Sequence, residues 1–199
     1  MMKKSTQKWL FIIPLVVFAG LIAMLSLRQD NVQKAGTSDI VNTKSTYRQL
    51  PSFSLPLLSD PSRTMTNNDL PKTPFILNIW GSWCLTCRVE HPFLMELHDQ
   101  GVLMIGVNYK DEPEDALTYL NEHSDPFLYS VQDYTGDLAL DLGLTGAPES
   151  FIVDQDGVVR LHIVGEIHAD NYANKIKPCM IALADDSLDE AAKNQACGG

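Results

Sequence analysis

The chain has 199 residues, of which 45% are hydrophobic and 20% are charged, so it is long enough for one domain with a real core. Its formal net charge at pH 7 is −10, and the first 27 residues contain three lysines and no acid. The remainder therefore has 12 basic and 25 acidic side chains, a net charge of −13. Because this surface repels nucleic acid and no basic cluster offsets it, the composition argues against nucleic-acid binding.

The N-terminal segment has the pattern of a membrane anchor. Residues 10–27 are an uncharged run of 18 residues, which as a helix would be about 27 Å long, close to the hydrocarbon thickness of a bilayer. The lysines precede this run, so the positive-inside rule exports the rest of the chain. A cleaved signal peptide is the alternative, but no good cleavage site follows the run. We expect residues 1–27 to be an uncleaved anchor and residues 28–49 to be a polar linker.

A globular domain is predicted over residues 50–184, followed by a C-terminal tail over residues 185–199. Its first strand, 53–58, contains Pro56, which predicts an edge position. The next elements are a strand over 75–80, a helix from Cys84 towards Gly101 with a kink at Pro92, a strand over 102–108, a helix over 114–123, a strand over 127–131, a short helix over 137–142, strands over 150–154 and 158–164, and a helix over 169–184. This order predicts an α/β fold with a central mixed β-sheet flanked by helices.

Two cysteines stand two residues apart at the start of the first predicted helix. On one helical turn, Cys84 and Cys87 can approach closely enough to form a disulfide. The helix N-terminus favours a thiolate at Cys84, whereas Cys87, which we expect to be more buried, can attack a mixed disulfide and release the partner. Trp83 supplies an apolar surface beside the nucleophile. Half of a zinc site is the alternative, but no second Cys-x-x-Cys and no nearby His-x₃₋₅-His completes it, so we expect a redox pair with no metal or other cofactor.

A second motif, Gly143–Phe151, lies about sixty residues downstream, just before a predicted strand. In a thioredoxin-like fold a proline at this place is cis and lies opposite the cysteine pair, so we expect Pro148 to be cis. The backbone at Ala147 would then be available to pair with an extended substrate. An ordinary loop proline is the alternative.

Two carboxylates accompany these motifs. Glu90 follows Cys87 by three residues, and Glu149 follows Pro148 directly. An acid near the pair can accept the proton that Cys87 loses, and its charge would also raise the pKa of the thiols. For each of them, a solvated surface acid is the alternative.

Together, residues 78–87, 88–92, 106–111 and 143–151 resemble the CcmG/DsbE proteins of cytochrome c maturation, and the N-terminal anchor matches as well. The resemblance implies a thioredoxin-like reductant in the periplasm, attached to the cell inner membrane by a single-pass helix. It also implies electrons received from a membrane donor of the DsbD type and passed to apocytochrome c or to a CcmH-type thiol protein.

Carried onto this chain, the resemblance makes Cys84 the nucleophile, Cys87 the resolving thiol and Pro148 the cis-proline, with Glu90 and Glu149 as acids at the site. The same chemistry also fits a general exported reductase or an oxidant. A metal-delivery protein on this fold is a further alternative, although such proteins typically use Cys-x-x-x-Cys with a distant His.

This chain departs from the family pattern at three positions. Leu85 stands where the family commonly has proline, which leaves the redox poise of the pair open. Cys179 and Cys197 lie outside the pattern. They either form a structural disulfide or remain as one buried and one free thiol.

Overall fold

The computed structural model describes residues 48–198. The predicted anchor over 1–27 and all but the end of the predicted linker lie outside the described residues. Within residues 48–198, no helix combines the length and apolar character needed to cross a membrane.

The described chain forms one eight-stranded sheet with helices on it, which confirms the predicted α/β fold with a mixed sheet. The strands are β1 (Arg48–Gln49), β2 (Ser54–Leu57), β3 (Asp60–Thr66), β4 (Phe75–Trp80), β5 (Met104–Tyr109), β6 (Tyr129–Asp133), β7 (Glu149–Val153) and β8 (Val158–Val164). The helices are α1 (Leu85–Asp99), α2 (Pro113–His123), α3 (Asp137–Asp141), α4 (Ala169–Asn171), α5 (Lys177–Ala184) and α6 (Glu190–Ala196). The strand order is β1-β8-β7-β4-β5-β6-β2-β3, in which β4, β5 and β6 are parallel to one another.

Helix α1 ends where the sequence predicted. Gly101 adopts a φ of 79°, which a residue with a side chain rarely adopts. Its N–H donates to the carbonyl of His98 at 2.9 Å, and the N–H of Val102 donates to that of Leu97 at 3.0 Å. This Schellman motif ends the helix by bonding two of its last free carbonyls. Pro92 lies inside α1, and the kink expected there stays a prediction.

The prediction that residues 53–58 form an edge strand is wrong. β2 lies between β3 and β6, and β3 rather than β2 forms this edge of the sheet. Pro56 is tolerated because β2 meets β6 only beyond the proline, through Leu57 and through the N–H of Leu58. β3 escaped prediction because it contains Pro61 and is mostly polar and exposed, without an alternating apolar pattern.

The helix predicted over residues 169–184 is interrupted. α4 passes through a π turn, Tyr172–Ile176, before α5 begins. Pro178 has no N–H to donate to the carbonyl four residues earlier, so the regular α-helical pattern is broken here. The N–H of the preceding residue, Lys177, donates to the carbonyl of Tyr172, five residues back, as in a π turn. Beyond α5, helix α6 was not predicted from the sequence.

A disulfide joins the C-terminal helix α6 to the rest of the domain. Cys179 of α5 and Cys197, at the end of α6, are bonded, and both residues are buried. Arg160 of β8 reinforces this attachment by bonding to Glu190 at 2.8 Å and to Asn194 at 3.0 Å. The first of the two alternatives for these cysteines is therefore the correct one.

Removing this disulfide should destabilise the domain without affecting the other pair of cysteines. For the double variant Cys179→Ala/Cys197→Ala we expect the free energy of unfolding to fall by roughly 3 kcal/mol, because the unfolded chain regains the entropy of an open loop of this length. Denaturation by guanidinium chloride measures this change. Coincident unfolding curves for the wild type and the double variant would contradict the prediction.

The sheet has an apolar layer on each face. One layer contains the odd-numbered residues of β4, and the other contains Ile76 and Trp80 of β4 with Cys87 and Leu94 of α1. Since side chains alternate along a strand, Asn78 lies on the same face as Ile76 and Trp80. Asn78 is thereby placed beneath α1, the helix that carries the cysteine pair.

Candidate active site at the start of helix α1

The Cys-x-x-Cys pair sits at the N-terminus of α1. Cys84 is the N-cap residue and Cys87 lies in the first turn. Their sulfurs are bonded at 2.09 Å with Cα atoms 5.3 Å apart, as the spacing predicted. The N–H of Cys87 donates to the Sγ of Cys84 at 3.1 Å. In the dithiol form, the same N–H and the helix dipole would stabilise a thiolate at Cys84.

The two cysteines are equally buried in this oxidised state. Cys84 is 4% and Cys87 is 5% exposed, so the expectation that Cys87 is the more buried is wrong for the disulfide form. Their neighbours are open to solvent, since Trp83 is 51% and Leu85 is 77% exposed. Trp83 is also fixed in direction, because its Nε1–H donates to the carbonyl of Tyr109 at 3.2 Å. Trp83 and Leu85 therefore form an exposed apolar rim, which an approaching molecule contacts before it reaches the buried sulfurs.

The loop before β7 faces the disulfide. The Ala147–Pro148 peptide bond is cis, which confirms the prediction for Pro148. The carbonyl oxygen of Ala147 lies 3.5 Å from the Sγ of Cys84. Pro148 is buried, whereas Ala147 is half-buried. The pairing of a substrate strand with Ala147 stays a prediction.

Glu90 lies inside the domain next to Cys87. The side chain is 2% exposed, so the surface-acid alternative is wrong for this residue. Its Oε1 accepts the N–H of Ile167 at 2.5 Å, and its Oε2 accepts from Nδ2 of Asn78 at 3.2 Å. Burial raises the pKa of Glu90 to about 7, and these two hydrogen bonds oppose that rise only in part. Glu90, Cys87 and Trp80 line the same small internal cavity.

Glu149 is fully buried and serves as an acceptor for the loop that contains Pro148. Its Oε1 accepts the N–H groups of Thr145 at 3.0 Å and Gly146 at 3.1 Å, together with the hydroxyl of Thr145. Its Oε2 lies 2.7 Å from Nε2 of His162. Burial acts to raise the pKa of Glu149, but the hydrogen bonds from Thr145 and His162 hold that pKa below its ordinary value. The surface-acid alternative is therefore wrong here too.

Glu149 and Glu90 lie on opposite faces of the sheet. Ser150 accepts a hydrogen bond from Asn78 at 2.9 Å on the α1 face. Because side chains alternate along β7, Glu149 points to the other face, which it shares with Phe151. The structure thus brings Cys84, Cys87, Glu90 and the cis-proline loop together, but it directs Glu149 away from the helix that carries the pair.

Asp111 is a site residue that the sequence analysis missed. Its buried carboxylate accepts the N–H of Ser82 at 2.6 Å and the hydroxyl of Ser82 at 2.8 Å, as well as Nδ2 of Asn108 at 2.9 Å. Arg88 donates to the carbonyl of Ser82 through Nε at 3.0 Å and Nη2 at 2.8 Å. These bonds fix the turn that leads into Cys84. The available signal was the place of Asp111 two residues after β5, since the carboxyl ends of the parallel strands β4 and β5 lie at the same edge of the sheet.

Between Arg48 and Gly198, no group of three or more His, Cys, Asp or Glu side chains is arranged to hold a metal ion.

The comparisons with known proteins agree on one kind of chemistry. The redoxin family model matches residues 46–176. The thiol:disulfide interchange protein DsbE of Pseudomonas aeruginosa is 42% identical over 139 residues, covering 70% of this chain and 77% of that protein. The protein of the same name from Escherichia coli is 35% identical over 175 residues, which cover 86% of this chain and 94% of the Escherichia coli protein.

Solved structures show the same fold. A Chlorobium tepidum protein described as DsbE is 26% identical with a TM-score of 0.58, covering 70% of this chain and 97% of that one. A secreted thiol-disulfide isomerase of Corynebacterium glutamicum is 21% identical with a TM-score of 0.61, covering 72% of this chain and 89% of its own. The fold is accordingly thioredoxin-like, as the motifs predicted.

Proposed function

We propose that this chain, which belongs to the DsbE family of thiol:disulfide interchange proteins, reduces protein disulfides during cytochrome c maturation. Its client would be oxidised apocytochrome c or a CcmH-type thiol protein, and its electron donor a membrane protein of the DsbD type. The N-terminal segment would anchor it in the cell inner membrane with the described domain in the periplasm. The observation that carries the proposal is the Cys84–Cys87 disulfide at the start of α1, facing the carbonyl of Ala147.

The reaction begins from the dithiol form. The Cys84 thiolate attacks one sulfur of the client disulfide, the client S–S bond breaks, and the other client sulfur leaves as a thiolate. Cys87 then loses its proton and attacks Sγ of Cys84, which breaks the mixed disulfide and releases the second client thiolate. Two electrons have passed to the client, and the protein is left with the Cys84–Cys87 disulfide that the structure contains.

Glu90 is the proposed acceptor of the proton that Cys87 loses. The two side chains line one internal cavity, and both residues are buried from bulk water. With a pKa of about 7, Glu90 can both take and return a proton near neutral pH. Such an acceptor is needed because a buried thiol has no direct route to solvent.

Clients are proposed to dock across the apolar rim and the cis-proline loop. The indole of Trp83 provides exposed apolar surface. The backbone of Ala147, beside Cys84, would pair with an extended client segment. Both contacts lie next to the sulfur that makes the first attack.

Trapping the client tests this proposal. The Cys87→Ser variant cannot resolve a mixed disulfide, so in cells that make c-type cytochromes it should accumulate covalently bound to apocytochrome c or a CcmH-type protein. Mass spectrometry of the trapped complex identifies the partner, and Cys84→Ser/Cys87→Ser is the matched control. If only proteins unrelated to haem attachment are recovered, cytochrome c maturation is the wrong process.

A reduction potential near the DsbA value of about −120 mV would show that the protein is an oxidant.

A further inference from the structure

We propose that the Glu149–His162 pair positions the Thr145–Ala147 loop for client docking, and that Glu149 carries no proton in the exchange reaction. This inference rests on the proposed function, in which clients pair with the backbone of Ala147. It makes Glu149 and His162 positioning residues, since neither is placed to touch the reacting sulfurs.

The first two residues of the loop are held mainly by hydrogen bonds. Thr145 and Gly146 are exposed, and a side chain added at Gly146 would meet no atom within 4 Å. The N–H groups of these two consecutive residues, with the Thr145 hydroxyl, all converge on one oxygen of Glu149. Ala147 follows immediately, so this anchor adds to the core packing that holds Ala147 beside Cys84.

His162 fixes the other half of the carboxylate. Its Nε2 lies 2.7 Å from Oε2 of Glu149. Its ring stacks on Phe151, with centroids 4.2 Å apart and planes at 20°. The strand pairing of β7 with β8 places Phe151 opposite His162, so the imidazole is held by the sheet itself. A rigid donor on Oε2 prevents the carboxylate from turning away from the loop.

Two observations argue against a proton-carrying role for Glu149. Its side chain occupies the sheet face opposite to α1, whereas Glu90 shares a cavity with Cys87. Hydrogen bonds from Thr145 and His162, acting against burial, also keep the pKa of Glu149 below its ordinary value. The carboxylate therefore remains charged in the range where thiols titrate.

The test compares two substrates of the reduced protein. One is a peptide with an oxidised Cys-x-x-Cys-His motif, which needs the loop for docking. The other is 5,5′-dithiobis(2-nitrobenzoic acid), a small disulfide that does not. Glu149→Ala should raise KM for the peptide about tenfold, as expected for loss of a buried anchor, while leaving the rate constant for the small disulfide within about twofold of wild type.

Glu149→Gln supplies the decisive comparison, because the amide oxygen can still accept the loop N–H groups but cannot carry a proton. It should restore KM for the peptide to near the wild-type value. His162→Phe keeps the ring stacking but removes the donor, and should raise KM for the peptide. His162→Gln retains a donor and should raise it less. His162→Phe also keeps the inference testable if Glu149→Ala does not fold.

Two results would overturn the inference. If Glu149→Gln is as slow as Glu149→Ala on both substrates, Glu149 is needed as an acid. If the folded variants all show the wild-type KM, the pair does not position the loop. A wild-type protein that does not reduce the peptide counts against the proposed function instead. The same variants are then compared with insulin as the disulfide substrate, under the same two criteria.

Discussion

Replacing Cys84 with serine should abolish disulfide exchange, with the rate constant for reduction of a protein disulfide falling by at least about 1000-fold. A serine hydroxyl does not ionise near neutral pH, so the N–H of Cys87 and the dipole of α1 would have no thiolate to stabilise. Stopped-flow measurement with a fluorescent peptide disulfide gives the rate constant directly.

The C-terminal disulfide provides a control for this experiment. Cys179→Ala/Cys197→Ala also breaks a buried disulfide, but one that lies away from the start of α1. At a temperature where the control is folded, its rate constant should stay within about twofold of wild type. Substantial exchange activity in Cys84→Ser would show that the reaction does not start at the helix terminus.

Replacing Glu90 with glutamine should change both stability and the second step of exchange. In the wild type, the Glu90 carboxyl is protonated below a pH of about 4.5 in the folded and unfolded chain alike. Between about 4.5 and about 7 the folded protein holds this proton and the unfolded chain does not, so the free energy of unfolding falls as pH rises. The loss amounts to roughly 3 kcal/mol by the time the pH exceeds 7.

Glu90→Gln removes this ionisation, so its oxidised form should be about as stable as wild type at acidic pH and more stable near pH 8. Denaturation curves at several pH values measure the difference. Glu96→Gln, which neutralises an exposed carboxylate on the same helix, should show no such divergence. Stability curves for Glu90→Gln and wild type that run parallel across this pH range would contradict the prediction.

The same substitution should slow the release of clients. Without a proton acceptor beside Cys87, resolution of the mixed disulfide should be slower by about 100-fold. Formation of the mixed disulfide by Cys84 should be much less affected, because that thiolate is stabilised by the helix terminus. Rapid-quench analysis separates the two steps. Equal resolution rates in Glu90→Gln and wild type would exclude the proposed role of Glu90.

Much of the fold was predictable because its signals are local. The buried strand β4, the hairpin of β7 and β8, and the glycine after α1 each carry their pattern in a few consecutive residues. β3 and α6 carry no such pattern, since one is a polar edge strand and the other is held by a disulfide from α5. Their positions depend on contacts between distant parts of the chain.

The site was predictable to the same extent. The cysteine pair and Pro148 follow from their motifs, and the burial of Glu90 agrees with its helical spacing from Cys87 and Leu94. Glu149 was grouped with Pro148 because they are adjacent, although alternation along a strand can turn adjacent side chains to opposite faces. His162 could not be found in this way, because it reaches Glu149 only through the pairing of β7 with β8.

The edge strand β3 affects whether copies of this protein can associate through their sheets at high concentration. Pro61 has no N–H to donate to another strand, and the exposed Arg63 places a charge on β3. The strand is also joined to β2 through an irregularity at Pro56 and Leu57. Edges with these features resist joining the sheets of other copies. These features of β3 therefore oppose the growth of continuous intermolecular sheets from this edge.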